Sequence, residues 1–344
     1  MADGTEIPGV DLERLAAWMD SVDLPGDAIE RVETLGGGTQ NILLRFTRGG
    51  RSFVLRRPPL HKRANSDETM RREARVLRAL AGSDVPHPGF IAGSDEPDVL
   101  GATFYLMEPI RGFNPSEEFP ARHGKDPKIR HEMGLNMASA IARLGELDYR
   151  KVGLEGFGKP DGYLERQAGR WMALLDSYAS FEGYPGPDIP GLSRVAKWLD
   201  DNCPSDFRAG VLHGDFHVRN VMFSPDGPEL AAMVDWELST IGDPLLDLGL
   251  LLTTAPDASG ESAGPAPWPG FPGAKELIAR YAETSTRSLD AIGWYEVLAC
   301  YKLGLILEGT HARAFAGKAP VAVGDALHAT TLALFRRAVA RIGA

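Results

Sequence analysis

The chain has 344 residues, 43% of them hydrophobic and 24% charged, with 37 basic against 47 acidic side chains and a formal net charge of -10. That length suits two domains or one domain in two lobes, and an acidic balance argues against wrapping nucleic acid, whose binders carry the opposite excess. No stretch approaches the roughly 20 apolar residues of a membrane span, so neither a nucleic acid nor a membrane is expected as a partner. Residues 1–8 carry no basic n-region and no apolar h-region, so no secretory signal is expected. Cys203 and Cys300 lack a CxxC partner, which fits two reduced thiols in a cytoplasmic protein.

In chain order, residues 10–21 read as an amphipathic helix with Leu12, Leu15, Ala16 and Met19 on one face. Residues 29–35 and 42–46 read as strands on either side of Gly36-Gly37-Gly38-Thr39-Gln40-Asn41, and residues 52–56 as a third strand. A helix is expected over 66–81, capped by Asn65 or Ser66. Residues 99–107 give two short strand-like runs broken at Gly101. After Arg111-Gly112 the pattern turns helical, over 131–147, 163–179, 192–201, 274–286, 292–315 and 321–341. Residues 211–236 are the exception, reading as short strands and loops. Residues 182–191 and 254–273 are rich in Gly and Pro, and the second is long enough to favour a binding loop over a simple connection. The expected architecture is α+β and bilobal. A sheet-containing lobe covers residues 1–107, a connector lies near 107–112, and a larger helical lobe covers 108–344.

The densest chemistry lies in residues 211–247. Asp215 and Asn220 are five apart, the separation of the catalytic Asp and the metal-binding Asn in a kinase catalytic loop. Residues 221–223 and 230–234 flank the turn-rich Ser224-Pro225-Asp226-Gly227-Pro228 and read as a β-hairpin ending at Asp235. In an antiparallel hairpin the first residue of one strand lies beside the last of the other. Asn220 and Asp235 are therefore expected to meet at its open end, next to Asp215. Such a set of oxygens suits magnesium and phosphate. Asp243 and Asp247 open the next apolar helix and are expected to brace this loop rather than react. His213, Asp215 and His217 alternate along the chain, so a metallohydrolase site is an alternative reading.

The N-terminal features fit a phosphate site. Glycines at 36–38 allow backbone N–H groups to approach a phosphate, although an ordinary hairpin turn uses the same residues. No Walker A sequence occurs. Arg56 ends the third strand, and Glu73 lies on the apolar face of the following helix with Met70, Ala74, Leu77 and Leu80. A carboxylate there needs a cationic partner, and Arg56 is the natural one. Only seven residues separate Asp235 from Asp243. That leaves no room for the activation segment of a protein kinase and points to a small-molecule acceptor. Arg166, Arg170, Lys302, His311 and Arg313 on the later helices, mixed with Glu296 and Glu308, lean toward an anionic or neutral one.

Residues 35–41, 53–56, 72–80, 105–110, 213–220 and 234–244 together resemble the aminoglycoside phosphotransferase superfamily, which has the protein-kinase-like fold. Residues 162–167, Arg170-Trp171 and 303–317 are similar to one branch of it, the kinase-like domain fused to some acyl-CoA dehydrogenases (family members 10 and 11) and its free-standing bacterial relatives. The resemblance implies an ATP- and Mg2+-dependent kinase, with GTP also open as donor, acting on a hydroxyl of a small molecule such as a hydroxyacyl-CoA. It assigns Asp215 as the catalytic Asp and Asn220 and Asp235 as magnesium ligands. Gly37, Gly38, Thr39 and Asn41 would meet the nucleotide phosphates, with the Arg56–Glu73 pair behind them. The backbone of Glu108 and Ile110 would bind adenine. Arg56 stands where protein kinases have Lys, and Pro109 offers no N–H, so Ile110 must donate. A non-catalytic nucleotide-binding protein remains the alternative.

Overall fold

The computed structural model describes residues 7–36, 41–117, 119–256 and 267–343. Gly37, Gly38 and Thr39, assigned above to the phosphates, and residues 257–266 of the 254–273 loop lie outside that set. Helix α1 (Leu12–Ser21) starts at Asp11, whose carboxylate accepts hydrogen bonds from the Glu13 and Arg14 N–H groups at 3.0 Å each. These are two of the donors a helix start leaves unpaired. Strands β1 (Glu30–Thr34), β2 (Ile42–Arg48) and β3 (Arg51–Arg57) follow, then α2 (Ser66–Leu80), β4 (Phe90–Ser94) and β5 (Phe104–Met107). They form an antiparallel sheet of order β1-β2-β3-β5-β4.

Strand alternation gives this sheet two apolar faces. Leu44, Phe46, Phe53, Leu55, Phe104 and Leu106 pack with Leu15 and Met19 of α1. Val54, Tyr105 and Met107 face the other way and pack with Met70, Ala74 and Leu77 of α2. Arg56 and Glu73 sit on this second face, in the layer that continues into the helical lobe.

The chain leaves the sheet after Met107, and Phe113 already pairs with Phe223 of the second lobe, each backbone N–H donating to the other's carbonyl at 2.9 Å. That lobe contains α3 (Ala121–Lys125), α4 (Pro127–Glu146), α5 (Gln167–Ser177) and α6 (Leu192–Asp201). Three-residue strand β6 (Gly210–Leu212), β7 (Val221–Phe223), β8 (Leu230–Met233) and β9 (Thr240–Gly242) come next. α7 (Leu245–Thr254), α8 (Ala274–Thr284), α9 (Ile292–Phe315) and α10 (Val321–Ile342) complete the chain. Apolar α7 is buried along nearly its whole length, against α9 and α4. α2 also holds the lobes together. Arg72 donates to the carbonyls of Phe157 (3.1 Å) and Ser239 (3.0 Å), with its guanidinium 4.1 Å from the Phe157 ring centroid. Among the described residues no helix is long and apolar enough to cross a membrane.

Three expectations change. Residues 99–101 form a turn rather than a first strand, and the missing strand is β4. Its sequence, Phe-Ile-Ala-Gly-Ser, lacks the polar–apolar alternation of a one-sided strand because every residue in it is half-buried. Asn65 stands at the start of α2, but its side chain makes no capping hydrogen bond.

Candidate active site

Strand β6, paired with β9, delivers His213-Gly214-Asp215 into the cleft between the lobes. Gly214 has φ +84° and lies against the Leu238 carbonyl, which a Cβ would strike. Only glycine fits that turn. Asp247 in the first turn of α7 is buried. Its two oxygens accept hydrogen bonds from the N–H groups of His213 (2.6 Å) and Gly214 (2.9 Å). Asp243 accepts from Leu245 N–H at 3.0 Å and from the Tyr295 hydroxyl. Both acids therefore brace the loop. The fully buried His213 ring donates from Nε2 to the Val234 carbonyl at 2.9 Å, and burial lowers its pKa, so it is a neutral wedge. Its Nδ1 faces the Asp215 N–H at 3.4 Å, so both ring nitrogens are turned to the backbone, and among the described residues His213, Asp215 and His217 do not bring their ligand atoms together as a metal-binding cluster.

Asp215, Asn220 and Asp235 meet as the hairpin argument requires. Val221 pairs with Met233, and Val234 N–H donates to the Asn220 carbonyl at 2.9 Å. Asn220 Nδ2 donates to the Asp215 carbonyl (3.0 Å) and to Asp215 Oδ2 (3.2 Å). Its Oδ1 is then the atom left to face a cation. Asp235 has φ 66° and ψ 65°, a left-handed conformation that costs a non-glycine residue about 1–3 kcal/mol and persists where surroundings enforce it. His217 Nε2 lies 3.4 Å from Asp215 Oδ2. Burial pushes the Asp215 carboxyl up, but the His217 hydrogen bond and the His217 and Lys302 charges more than offset it, leaving its pKa below the ordinary value. Lys302 donates to the Gly214 carbonyl at 2.6 Å, and burial lowers its pKa despite Asp215 and Asp247 nearby.

On the opposite wall, Arg56 links three groups. Its Nε lies 2.7 Å from Glu73 Oε2, and its Nη2 donates to Glu73 Oε1 (3.0 Å) and Asp235 Oδ1 (2.7 Å). The Tyr105 hydroxyl donates to Glu73 Oε2 at 2.8 Å. Tyr105 lies beside Arg56 across the β3–β5 ladder, a partner that sequence reasoning missed because the pairing needs the sheet order. Burial disfavours the Arg56 charge, yet Glu73, Tyr105 and Asp235 more than offset it and its pKa is raised. Glu237, two residues beyond Asp235, has its pKa raised by burial and by the Asp235 and Glu73 charges. The carboxylates of Glu73, Asp235 and Glu237 lie within 4.8 Å of one another, so the cleft is rich in hard oxygen donors of the kind magnesium takes.

Two cavities open from this centre. One, of about 520 Å³, is lined by Leu35, Leu43, Arg56, Glu108, Ile110 and Asp235 among others. Glu108 N–H is spent on the Gly89 carbonyl at 2.8 Å, so only its carbonyl is left for a ligand. The other cavity, of about 500 Å³, lies on the α5–α9 side, next to Gly214 and Asp247. It gathers Arg72, Lys159, Arg166, Arg170 and Lys302. His311 and Arg313, grouped with these in the sequence, line neither cavity. Glu296 is paired instead with Arg341 at 2.8 Å.

Fold and cleft together define a small-molecule kinase. The phosphotransferase enzyme family profile matches residues 31–276, and the chain belongs to that family. It is 28% identical to mouse acyl-CoA dehydrogenase family member 10 over 324 residues, covering 88% of this chain and 30% of that protein. It thus spans about a third of the length of this relative. Viomycin phosphotransferase of Streptomyces vinaceus is 28% identical over 189 residues, 52% of this chain and 60% of that one. Among solved structures, a Ralstonia eutropha protein provisionally assigned as an aminoglycoside phosphotransferase superposes with a TM-score of 0.81 at 26% identity, covering 96% of this chain and 98% of that one. A fold relative at 13% identity and a TM-score of 0.57, aminoglycoside phosphotransferase APH(4)-Ia, has been solved with ADP and hygromycin B; the match covers 93% of this chain and 97% of that one.

Proposed function

We propose that the chain transfers the γ-phosphate of ATP to a hydroxyl of a small anionic molecule, with a hydroxyacyl thioester such as a hydroxyacyl-CoA as the leading candidate. The observation that carries the reading is the contact of Asp215 with Asn220 beside Asp235, at the junction of the two cavities. The lobe boundary at 107/108 is then the hinge. There the Glu108 carbonyl and the Ile110 N–H would receive adenine, while Leu35 and Leu43 cover the base. Asn220 and Asp235 fit a magnesium ion as an amide oxygen and a carboxylate, and magnesium supplies charge neutralisation at the phosphates. Arg56, held by Glu73, is aimed at the same oxygens.

Asp215 is the group that acts on the acceptor. Its carboxylate takes the hydroxyl proton as the hydroxyl oxygen bonds to the γ-phosphorus. The bond from that phosphorus to the β–γ bridging oxygen breaks, and the nucleoside diphosphate leaves with the electron pair. A carboxylate kept ionised below its ordinary pKa is ready for this at neutral pH. The cations of the α5–α9 cavity favour an acceptor with a carboxylate or phosphate, and the likeness to acyl-CoA dehydrogenase family members supports a CoA thioester. Asp215→Ala is expected to lower turnover by about 10²–10⁴-fold while ATP binding, read by fluorescence titration, survives. Near-native turnover in that variant refutes the assignment. Labelled ATP with a hydroxyacyl-CoA panel identifies the acceptor.

A further inference from the structure

Away from the cleft, α9 and α10 run back to back as the most extensively packed helix pair of the fold. Each carries an acid followed three residues later by a histidine: Glu308 and His311 on α9, Asp325 and His328 on α10. Residues three apart share a helix face, so each helix turns one carboxylate and one imidazole toward the other. The pairing is reciprocal. His328 Nδ1 lies 2.7 Å from Glu308 Oε2, and His311 Nδ1 lies 3.6 Å from Asp325 Oδ1. The two imidazoles stack with centroids 4.3 Å apart. Ligand atoms from Glu308, His311 and His328 all fall within 4.8 Å of one another.

We propose that Glu308, His311, Asp325 and His328 form a binding site for a divalent transition ion of the zinc type. The plainer account is a buried glutamate satisfied by hydrogen bonds, since Glu308 is fully buried and its Oε1 accepts from the Tyr184 hydroxyl at 2.8 Å. That account leaves His311 unexplained. Its Nδ1 is buried and makes no hydrogen bond among the described residues, although it faces Asp325. A nitrogen lone pair aimed at a carboxylate is repelled unless a proton or a cation lies between them. Paired imidazoles and carboxylates suit zinc and its first-row neighbours better than magnesium or calcium, which prefer oxygen throughout. Metal–ligand bonds of about 2.0–2.2 Å put tetrahedral ligands about 3.4 Å apart. The side chains would shift by roughly 1 Å, Glu308 and His328 opening from 2.7 Å and the wider pairs closing, within ordinary rotamer adjustment. The Tyr184–Glu308 bond has the form of the outer hydrogen bonds that orient metal-bound carboxylates. Exposed Asp325 gives the ion its way in.

Such an ion would clamp α9 to α10 and, through Tyr184, to the connection before α6. It has no place in phosphoryl transfer. It would stiffen the helix that also carries Lys302, which lies six residues, about 9 Å, further back along α9. Protein dialysed free of metal and titrated calorimetrically with zinc chloride, in buffer without magnesium, is expected to bind one equivalent and to gain thermal stability. Asp325→Asn removes an exposed ligand without disturbing the core and is expected to weaken binding by about tenfold. His311→Ala and His328→Ala abolish the one-equivalent binding, whereas His217→Ala, at the histidine–acid contact of the cleft, leaves it intact. Zinc well below one equivalent in the native protein overturns the proposal, as does binding unchanged by both His311→Ala and His328→Ala.

Discussion

His217 sets the working range of Asp215. Its ring supplies the first of the interactions that hold the Asp215 carboxyl low against burial. Without it, burial acts with less opposition and the Asp215 pKa rises. In the proposed reaction the ionised form acts, and it is lost as pH falls through that pKa. His217→Ala is therefore expected to move the acid limb of the kcat/KM profile to higher pH. An unshifted limb would mean that His217 does not act on Asp215. Across the cleft, Glu73 neutralises a buried guanidinium. Removing one partner of a buried pair strands the other, at a cost of about 3–5 kcal/mol. Asp235 still contacts Arg56, so Glu73→Ala should fall at the low end, about 3 kcal/mol in urea unfolding. A loss under about 1 kcal/mol, the range of an exposed pair, would show that Glu73 is not the main counter-charge.

At the scale of elements, the loop that carries Asp215 depends on the first turn of α7. Asp247 there accepts from two backbone N–H groups of the loop. An asparagine has one acceptor oxygen, so Asp247→Asn leaves one buried N–H facing an amide NH2. That costs about 1–3 kcal/mol, and the displaced loop should lower kcat by more than the stability loss accounts for. Unfolding midpoint and kcat measured on the same preparation separate the two effects. An unchanged midpoint would remove the bracing role. This brace was legible in the sequence as an acid pair opening an apolar helix, and the placing of Asn220 beside the Val234–Asp235 end as a hairpin with its turn residues in place. Both are local, and local pairing is what strand and turn chemistry specify. The Arg56–Glu73 pair was legible because an acid on an apolar helix face demands a cation. Tyr105, their third partner, was not, since nothing in the sequence says that β5 rather than β4 lies beside β3. β4 itself was hidden by its uniform half-burial, and α3 by its five-residue length.

The charge of the whole molecule and the charge of the α5–α9 cavity, proposed above to take the acceptor, are opposite in sign. The chain carries a net -10, yet Arg72, Lys159, Arg166, Arg170 and Lys302 converge on one cavity with Glu237 and Asp247 as its acids. These cations come from α2, α5, α9 and the segment between α4 and α5, so no spacing along the chain announces them; only the closed fold assembles the field. Several already have structural duties. Arg72 ties the lobes, Lys302 holds the Gly214 carbonyl, and Arg166 donates to the Lys159 carbonyl at 2.7 Å. Arg170 is exposed, with its guanidinium 4.9 Å from the centroid of the Trp171 ring. It is therefore the cation that can be removed with least disturbance. A focused positive cleft on an acidic protein concentrates an anionic acceptor, and salt screens the effect. Arg170→Gln is expected to raise KM for an anionic acceptor about three- to tenfold, one charge contact being worth about 1 kcal/mol near a surface. kcat and the KM for ATP should stay near native, because Arg170 touches neither Asp215 nor the nucleotide cavity. KM of the native enzyme should climb with ionic strength, and the variant should climb less steeply. Equal slopes, or a KM for a neutral acceptor raised just as much, would mean that the cavity recognises shape rather than charge.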